Sequence, residues 1–276
     1  MLLIMALVLA LPALAGQASV QDQLQSAVSG PQRSAAHKQR DAYRHPVKTL
    51  EFFGLRPGMR VIEVIPGGGW YTEILAPFLH DRGQLIEASA PRTSAKSFYR
   101  KMAARYQQKL ASNPAIYGRI ELEPFEPPAY MALGAPGSAD RVLTFRNMHD
   151  LVFANVHGEI TDAPLQRFLR NAYQVLKPGG VLGIVAHRAN PRMPVGKSYK
   201  LGRLPQAYVI EAARQAGFAL AASSEVNANP KDSRKMPVWY LPPTLKRGAT
   251  KRDKYKAIGE ADNMTLKFVK PKKSAG

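Results

Sequence analysis

The chain has no cysteine. Disulfides, thiolate nucleophiles and cysteine metal sites are therefore excluded, and no other residue pattern points to a metal. Acidic residues are scarce. Twenty Asp and Glu stand against 39 Lys and Arg, for a formal net charge of +19. A balance this basic favours anionic surroundings such as an anionic membrane surface or acidic polysaccharide, although the same charge also serves simply to resist aggregation. No basic motif interleaved with aromatics occurs, so no specific nucleic-acid partner is expected. No internal repeat is present. No transmembrane helix is expected in the mature chain. The 276 residues suffice to bury a sizeable core.

What is present begins with an apolar run over residues 1–15. The run is short for a bilayer span and ends in Ala13-Leu14-Ala15 before Gly16. That is the pattern of the core and cleavage site of a secretory signal peptide, with a buried N-terminal helix as the other reading. Residues 1–18 are accordingly expected to be removed, and the mature protein to be exported, in the periplasm. Residues 17–32 are polar and small, like a mature N-terminus.

The most informative stretch is 59–79. Residues 61–65 form a short β-branched apolar run broken only by Glu63, which reads as a strand buried on both faces. Pro66, Gly67, Gly68 and Gly69 end it. Tyr71, Ile74, Leu75, Phe78 and Leu79 then recur at helical spacing. Strand, glycine turn and helix make a ligand cradle, because glycines let backbone approach a ligand and a helix N-terminus offers free N–H groups. The plainer reading is a tight turn without a ligand. Glu63 favours the cradle, since a carboxylate inside a strand needs a partner, either the turn's N–H groups or a cationic ligand.

Glu63 followed by Gly67 and Gly69 resembles the first motif of class I S-adenosylmethionine-dependent methyltransferases. That pattern has a further glycine where this chain has Ile65. The wider block of Arg44-His45-Pro46, Thr49-Leu50, Phe52-Phe53-Gly54, Pro57-Gly58-Met59 and residues 66–79 is similar to predicted methyltransferases that carry export signals. The resemblance implies a three-layer Rossmann-like α/β fold, with a seven-stranded, mostly parallel sheet whose last strand is antiparallel. It also implies S-adenosylmethionine as cofactor, held through Glu63, Gly67, Gly68 and Gly69. Two further roles follow from it: Ser89, at the end of a second strand, takes the ribose position where an acidic residue is usual, and Glu123 meets the adenine amino group. An N-terminal helical cap over residues 31–58 would place Asp41, Tyr43, Arg44 and His45 at the substrate mouth, with Tyr71 and Arg146 also facing substrate. Residues 59–270 would form the catalytic domain and 271–276 a basic tail.

The rest of the chain reads as alternating elements. Residues 93–110 form a basic helix whose Phe98, Met102, Tyr106 and Leu110 are expected in the core. Residues 140–145 read as a strand, and Arg146-Asn147-Met148-His149-Asp150 follow at its C-terminal end, where open α/β sheets bind ligands. His149 suits a general base near neutral pH, with Asn147 and Asp150 orienting or deprotonating the acceptor. Residues 161–176 form the clearest helix, with Asp162 as its expected cap. Leu-Lys-Pro-Gly-Gly at 176–180 leads into a fifth strand. Residues 227–258 read as a substrate-side loop or a partly disordered linker. Methyl transfer to a small molecule or envelope component is the implied function. A non-catalytic exported protein that binds an anionic ligand on the same fold is the alternative.

Overall fold

A computed structural model describes residues 18–154, 159–246 and 251–272. The helices are α1 Val20–Ser29, α2 Ala35–Lys38, α3 Asp41–Arg44, α4 Pro46–Phe52, α5 Thr72–Leu79, α6 Ser97–Ala111, α7 Pro114–Tyr117, α8 Ala163–Val175, α9 Val195–Ser198, α10 Gln206–Gln215 and α11 Arg252–Ile258. The strands are β1 Arg60–Val64, β2 Gln84–Ser89, β3 Glu121–Pro124, β4 Ala139–Phe145, β5 Phe153–Ala154, β6 Ile160–Thr161, β7 Leu176–His187, β8 Ala219–Ser224 and β9 Asn263–Val269.

Seven strands form one sheet in the order β3-β2-β1-β4-β7-β9-β8. β1, β2, β3, β4 and β7 are parallel, and β9 runs antiparallel between β7 and β8. The expected sheet is therefore present, and its last strand is the antiparallel one. The order reverses on either side of β1, because β2 and β4 both pair with it. A crevice opens at such a switch, beyond the carboxyl ends of the strands.

Two apolar layers cover the sheet. On one face Ile62, Val142, Leu182 and Leu266 pack against Leu165, Phe168, Leu169 and Ala172 of α8 and Val209 of α10. Each large side chain removed from water there contributes roughly 1.5–3 kcal/mol before chain entropy is set against it. On the other face Val61, Leu85, Leu143 and Val185 meet Ile74, Leu75 and Phe78 of α5 and Leu50 of α4. Asp162 stands at the start of α8 but does not cap it. Its carboxylate accepts the Tyr208 hydroxyl at 2.7 Å instead, tying α8 to α10.

Two segments depart from expectation. Residues 20–29 are helix α1, opened by a reciprocal Ser19–Asp22 capping box, with Leu24, Ala27 and Val28 buried. Those three lie at i, i+3 and i+4, a stripe easily overlooked among so many polar neighbours. Residues 227–246 and 251–262 are packed as well as connecting. Asn227 Nδ2 donates to Thr49 and Thr265 Oγ1, both at 3.0 Å. Asp232 forms a fully buried ion pair with Arg203 at 2.8 Å. Asp262 accepts from Arg188 at 2.9 Å and from Arg234 at 2.7 Å. Two acids of this segment, Asp232 and Asp262, are thus matched to arginines brought from elsewhere in the chain, and Asp262 also to Arg234 within it.

Candidate active site

The chain leaves β1 through Ile65, Pro66, Gly67, Gly68 and Gly69. Ile65, Gly67 and Gly69 all have left-handed backbone, with φ of 56°, 60° and 77°. A β-branched residue is a genuine outlier there. The Asn147 side chain holds the turn in place. Its Nδ2 donates to the carbonyls of Val64 at 2.9 Å and Ile65 at 3.1 Å, while its Oδ1 accepts from Thr144 Oγ1. Asn147 is buried with both amide protons engaged. It positions the turn and has no donor left to offer an acceptor molecule. A Cβ built on Gly67 or Gly68 would meet nothing within 4 Å, whereas one on Gly69 would stand 3.0 Å from Tyr106 and Lys109. The middle of the turn is thus an open cradle and its end is packed.

Glu63 does not reach the turn's N–H groups. It is fully buried and accepts from Thr72 Oγ1 at 3.0 Å, and Tyr106 Oη lies 3.0 Å from the same hydroxyl. Its register partner on β2 is Glu87, also fully buried. Burial pushes Glu63 up to about 7. Glu87 is held well above the carboxylate range by burial and then by the Glu63 charge, which makes it the protonated member of the pair. These carboxyls lie beneath the cleft, separated from it by Tyr106.

The cleft has two halves. The first, about 220 Å³, is bounded by Ser89 and Ala90 after β2, Phe125 and Pro127 after β3, and Phe98, Tyr99, Met102 and Tyr106 of α6. Phe98 is 67% exposed and Met102 lines the cleft, so α6 turns part of its expected core stripe toward the site. Ser89 stands at the expected place, and no carboxylate from β2 accompanies it. Glu123 is not in the wall; Phe125, just past the end of β3, takes that place. The second half, about 350 Å³, is lined by His37, Arg40, Arg44, Trp70, Phe145, Arg146 and Asn147. Ile65, Pro66, Gly67, Met102 and Asp150 border both halves.

The structure separates the other candidates by location. Asp150 is exposed at the junction of the halves. His149 lies behind it, its Nε2 3.3 Å from Asp150 Oδ1 and its ring 5.8 Å from that of His187. Burial lowers its pKa and keeps the imidazole neutral, but its side chain borders neither half. Tyr71 is buried, stacked on Phe145 at 3.5 Å between centroids, and belongs to the core rather than to a substrate mouth. Asp41 is engaged by Arg33 at 2.6 and 2.8 Å. Tyr43 projects toward Gly259, away from the cleft. His45 is the left-handed joint between α3 and α4. Of the N-terminal candidates, Arg44 reaches the cleft, and His37 and Arg40 reach it with no local signature to announce them.

Arg40, Arg44 and Arg146 converge on one carboxylate. Glu260 accepts from Arg40 Nε at 2.7 Å and Arg44 Nε at 3.0 Å, and Arg146 Nη1 lies 2.8 Å from it. Arg44 also lies over the Trp70 ring at 4.7 Å, with Arg33 at 4.8 Å from the same ring. Glu260 comes from more than 200 positions along the chain, so no spacing rule could have joined it to Arg44. Among the described residues no group of three or more His, Cys, Asp or Glu is placed to hold a metal ion. No helix among them is long and apolar enough to cross a membrane.

No family model matches this sequence, and no curated protein matches it in sequence. Solved structures do resemble it. A SAM-dependent methyltransferase from Aquifex aeolicus is 16% identical, with 91% of this chain and 98% of that one covered at a TM-score of 0.55. The [4+2]-cyclase SpnF is 18% identical over 92% and 93% at 0.56. An arsenic(III) S-adenosylmethionine methyltransferase from Chlamydomonas reinhardtii is 14% identical over 92% and 74% at 0.51. Identities this low establish the fold alone: the chain has the Rossmann-like fold of class I methyltransferases. The cyclase among these neighbours carries a different reaction on that fold, so the site has to decide the function.

Proposed function

We propose that the chain binds S-adenosylmethionine and transfers its methyl group to an acceptor in the cationic half of the cleft. The observation that carries this reading is the open glycine turn, where Gly67 and Gly68 leave free space between an apolar pocket and a polar one. The apolar half suits a nucleoside, with Met102, Tyr99 and Phe125 against the base and the Ser89 hydroxyl available to the ribose. Gly67 and Gly68 would admit the amino acid end. The cofactor, when bound, supplies an activated sulfonium methyl.

The chain's own work is then alignment. In-line displacement needs the acceptor held at the correct distance and angle more than it needs covalent help. Asn147 fixes the floor on which both partners sit. Asp150, at the junction, is placed to take a proton from the acceptor, and neutral His149 at 3.3 Å is placed to steady that carboxylate.

Titration calorimetry with S-adenosylhomocysteine tests the reading. Binding is expected in the wild type and lost in Gly68→Val with folding retained. Absence of binding to the wild type would discard it in favour of a non-catalytic binding protein on this fold. The absence of a β2 carboxylate beside Ser89 favours that second reading, since a hydroxyl holds a ribose more weakly than a carboxylate does. Export to the periplasm belongs to the proposal too. It rests on residues 1–15, outside the described residues, and the N-terminal mass of the protein recovered from cells tests it.

A further inference from the structure

The cationic half of the cleft is over-supplied with positive charge. Arg40, Arg44 and Arg146 bring three guanidiniums to Glu260. One carboxylate leaves an excess of two, reduced to one if Asp150 across the cleft is included. Arg33 is not part of this excess, because Asp41 takes it, and His37 is bound to Glu73 at 2.8 Å.

Arg146 is the most telling of the three. Its side chain is 9% exposed, yet among the described residues its Nε and Nη2 have no hydrogen-bond partner. Its backbone is left-handed, with φ of 67°. Buried donors without acceptors are costly, and strained backbone persists where the surroundings impose it, commonly at functional sites. A network built only for stability would leave neither feature. A second oxyanion above Glu260 would satisfy both free nitrogens of a planar fork that suits carboxylate and phosphate.

We infer that Arg146, with Arg40 and Arg44, forms an oxyanion site separate from the nucleoside half, so that the methyl acceptor is a small molecule bearing a carboxylate or phosphate. The acceptor part of this inference rests on the methyl-transfer reading, whereas the oxyanion site itself does not. The same chemistry has a second source, because the cofactor carries a carboxylate of its own near Gly67 and Gly68. The test must separate the two.

Inorganic phosphate is the probe, titrated into the full chain by calorimetry with and without saturating S-adenosylhomocysteine. Phosphate should bind with an affinity changed less than threefold by the second ligand. Arg146→Gln should weaken phosphate at least tenfold and S-adenosylhomocysteine less than threefold. Arg40→Gln, at a more exposed position, gives the same readout if Arg146→Gln fails to fold. Competition between the two ligands, or equal loss of both in the variants, would assign the guanidiniums to the cofactor and overturn the proposal. No phosphate binding at millimolar concentration would overturn it as well. Retained, Arg146-dependent phosphate binding with no S-adenosylhomocysteine binding would uphold the oxyanion site while removing the methyl-transfer reading.

Discussion

The two halves of the cleft are built by different means. The apolar half is local: β1, β2, β3 and α6 supply it from residues 65–127, with Asp150 alone from outside. The cationic half draws on α2 and α3, on the end of β4 and on Glu260. In the first half the shape of a parallel βαβ unit does most of the placing. In the second, long side chains placed by ion pairs do it. The first half is thus tied to the fold, and the second is free to differ between proteins that share it.

Five substitutions would break or sharpen that contrast. The largest effect is expected at the junction. With an acceptor in hand, Asp150→Asn should lower turnover about 10²–10⁴-fold, the usual range for a lost general base. His149→Ala should lower it less than tenfold, because that ring borders neither half. Reversed ranks in a steady-state assay would return the base to His149.

Gly68→Val comes next. Its side chain enters empty space at a position whose φ is not left-handed, unlike Gly67. Affinity for S-adenosylhomocysteine should fall about a hundredfold, a loss of about 2.7 kcal/mol, with melting shifted by only a few degrees. Equal damage to folding would make the turn structural only.

Ser89→Asp should act in the opposite direction. A carboxylate at the end of β2 would accept from a ribose more strongly than the hydroxyl does, improving affinity about tenfold. Unchanged affinity would place the nucleoside elsewhere.

The smallest effect concerns the carboxyl pair below the cleft. A carboxyl whose pKa is raised on folding destabilises the native state as pH rises above its unfolded value, because the unfolded chain gives up the proton first. For Glu63 the loss begins near its ordinary 4.5 and is complete above about 7. Glu87→Gln keeps the shape and removes a carboxyl that is held protonated in the fold but ionises once the chain unfolds. It should raise the melting temperature by a few degrees at pH 8 and by less at pH 5, as read by calorimetric scans. A larger gain at pH 5 would mean that the pair is not strained in this way.

Much of the fold was legible because it is periodic. The buried stripe of α8 and the punctuation at 176–180 announce themselves without any partner. The site was legible only in part. Gly67 and Gly68 follow from a strand–turn–helix pattern, Ser89 from the family resemblance, and Arg146 and Asp150 from their place after β4. Glu63 was misread because its partner, Thr72, lies nine residues on in the next helix, and Glu87 comes from a neighbouring strand. Tyr71 was misread because a helical stripe does not say which member is first to be covered. Arg40 and Glu260 lay beyond reach, since ion pairs across 220 residues leave no local trace.

The Asn147 clamp has a consequence for motion. By joining the end of β4 to the carbonyls of Val64 and Ile65, it fuses the two central strands just where they would otherwise fray. The Ile65 amide is also bonded, to Ala88 at 2.9 Å. The floor of the cleft therefore opens only when the sheet itself does. The roof is different: α2 and α3 are four residues each, held to the body chiefly by side-chain ion pairs and by Trp70. Such short elements sit at the low end of local stability. Breathing of the cleft, and with it the rate at which a ligand enters or leaves, falls to the arginine-bearing roof. The residues that grip an anion are then the same residues whose displacement admits it.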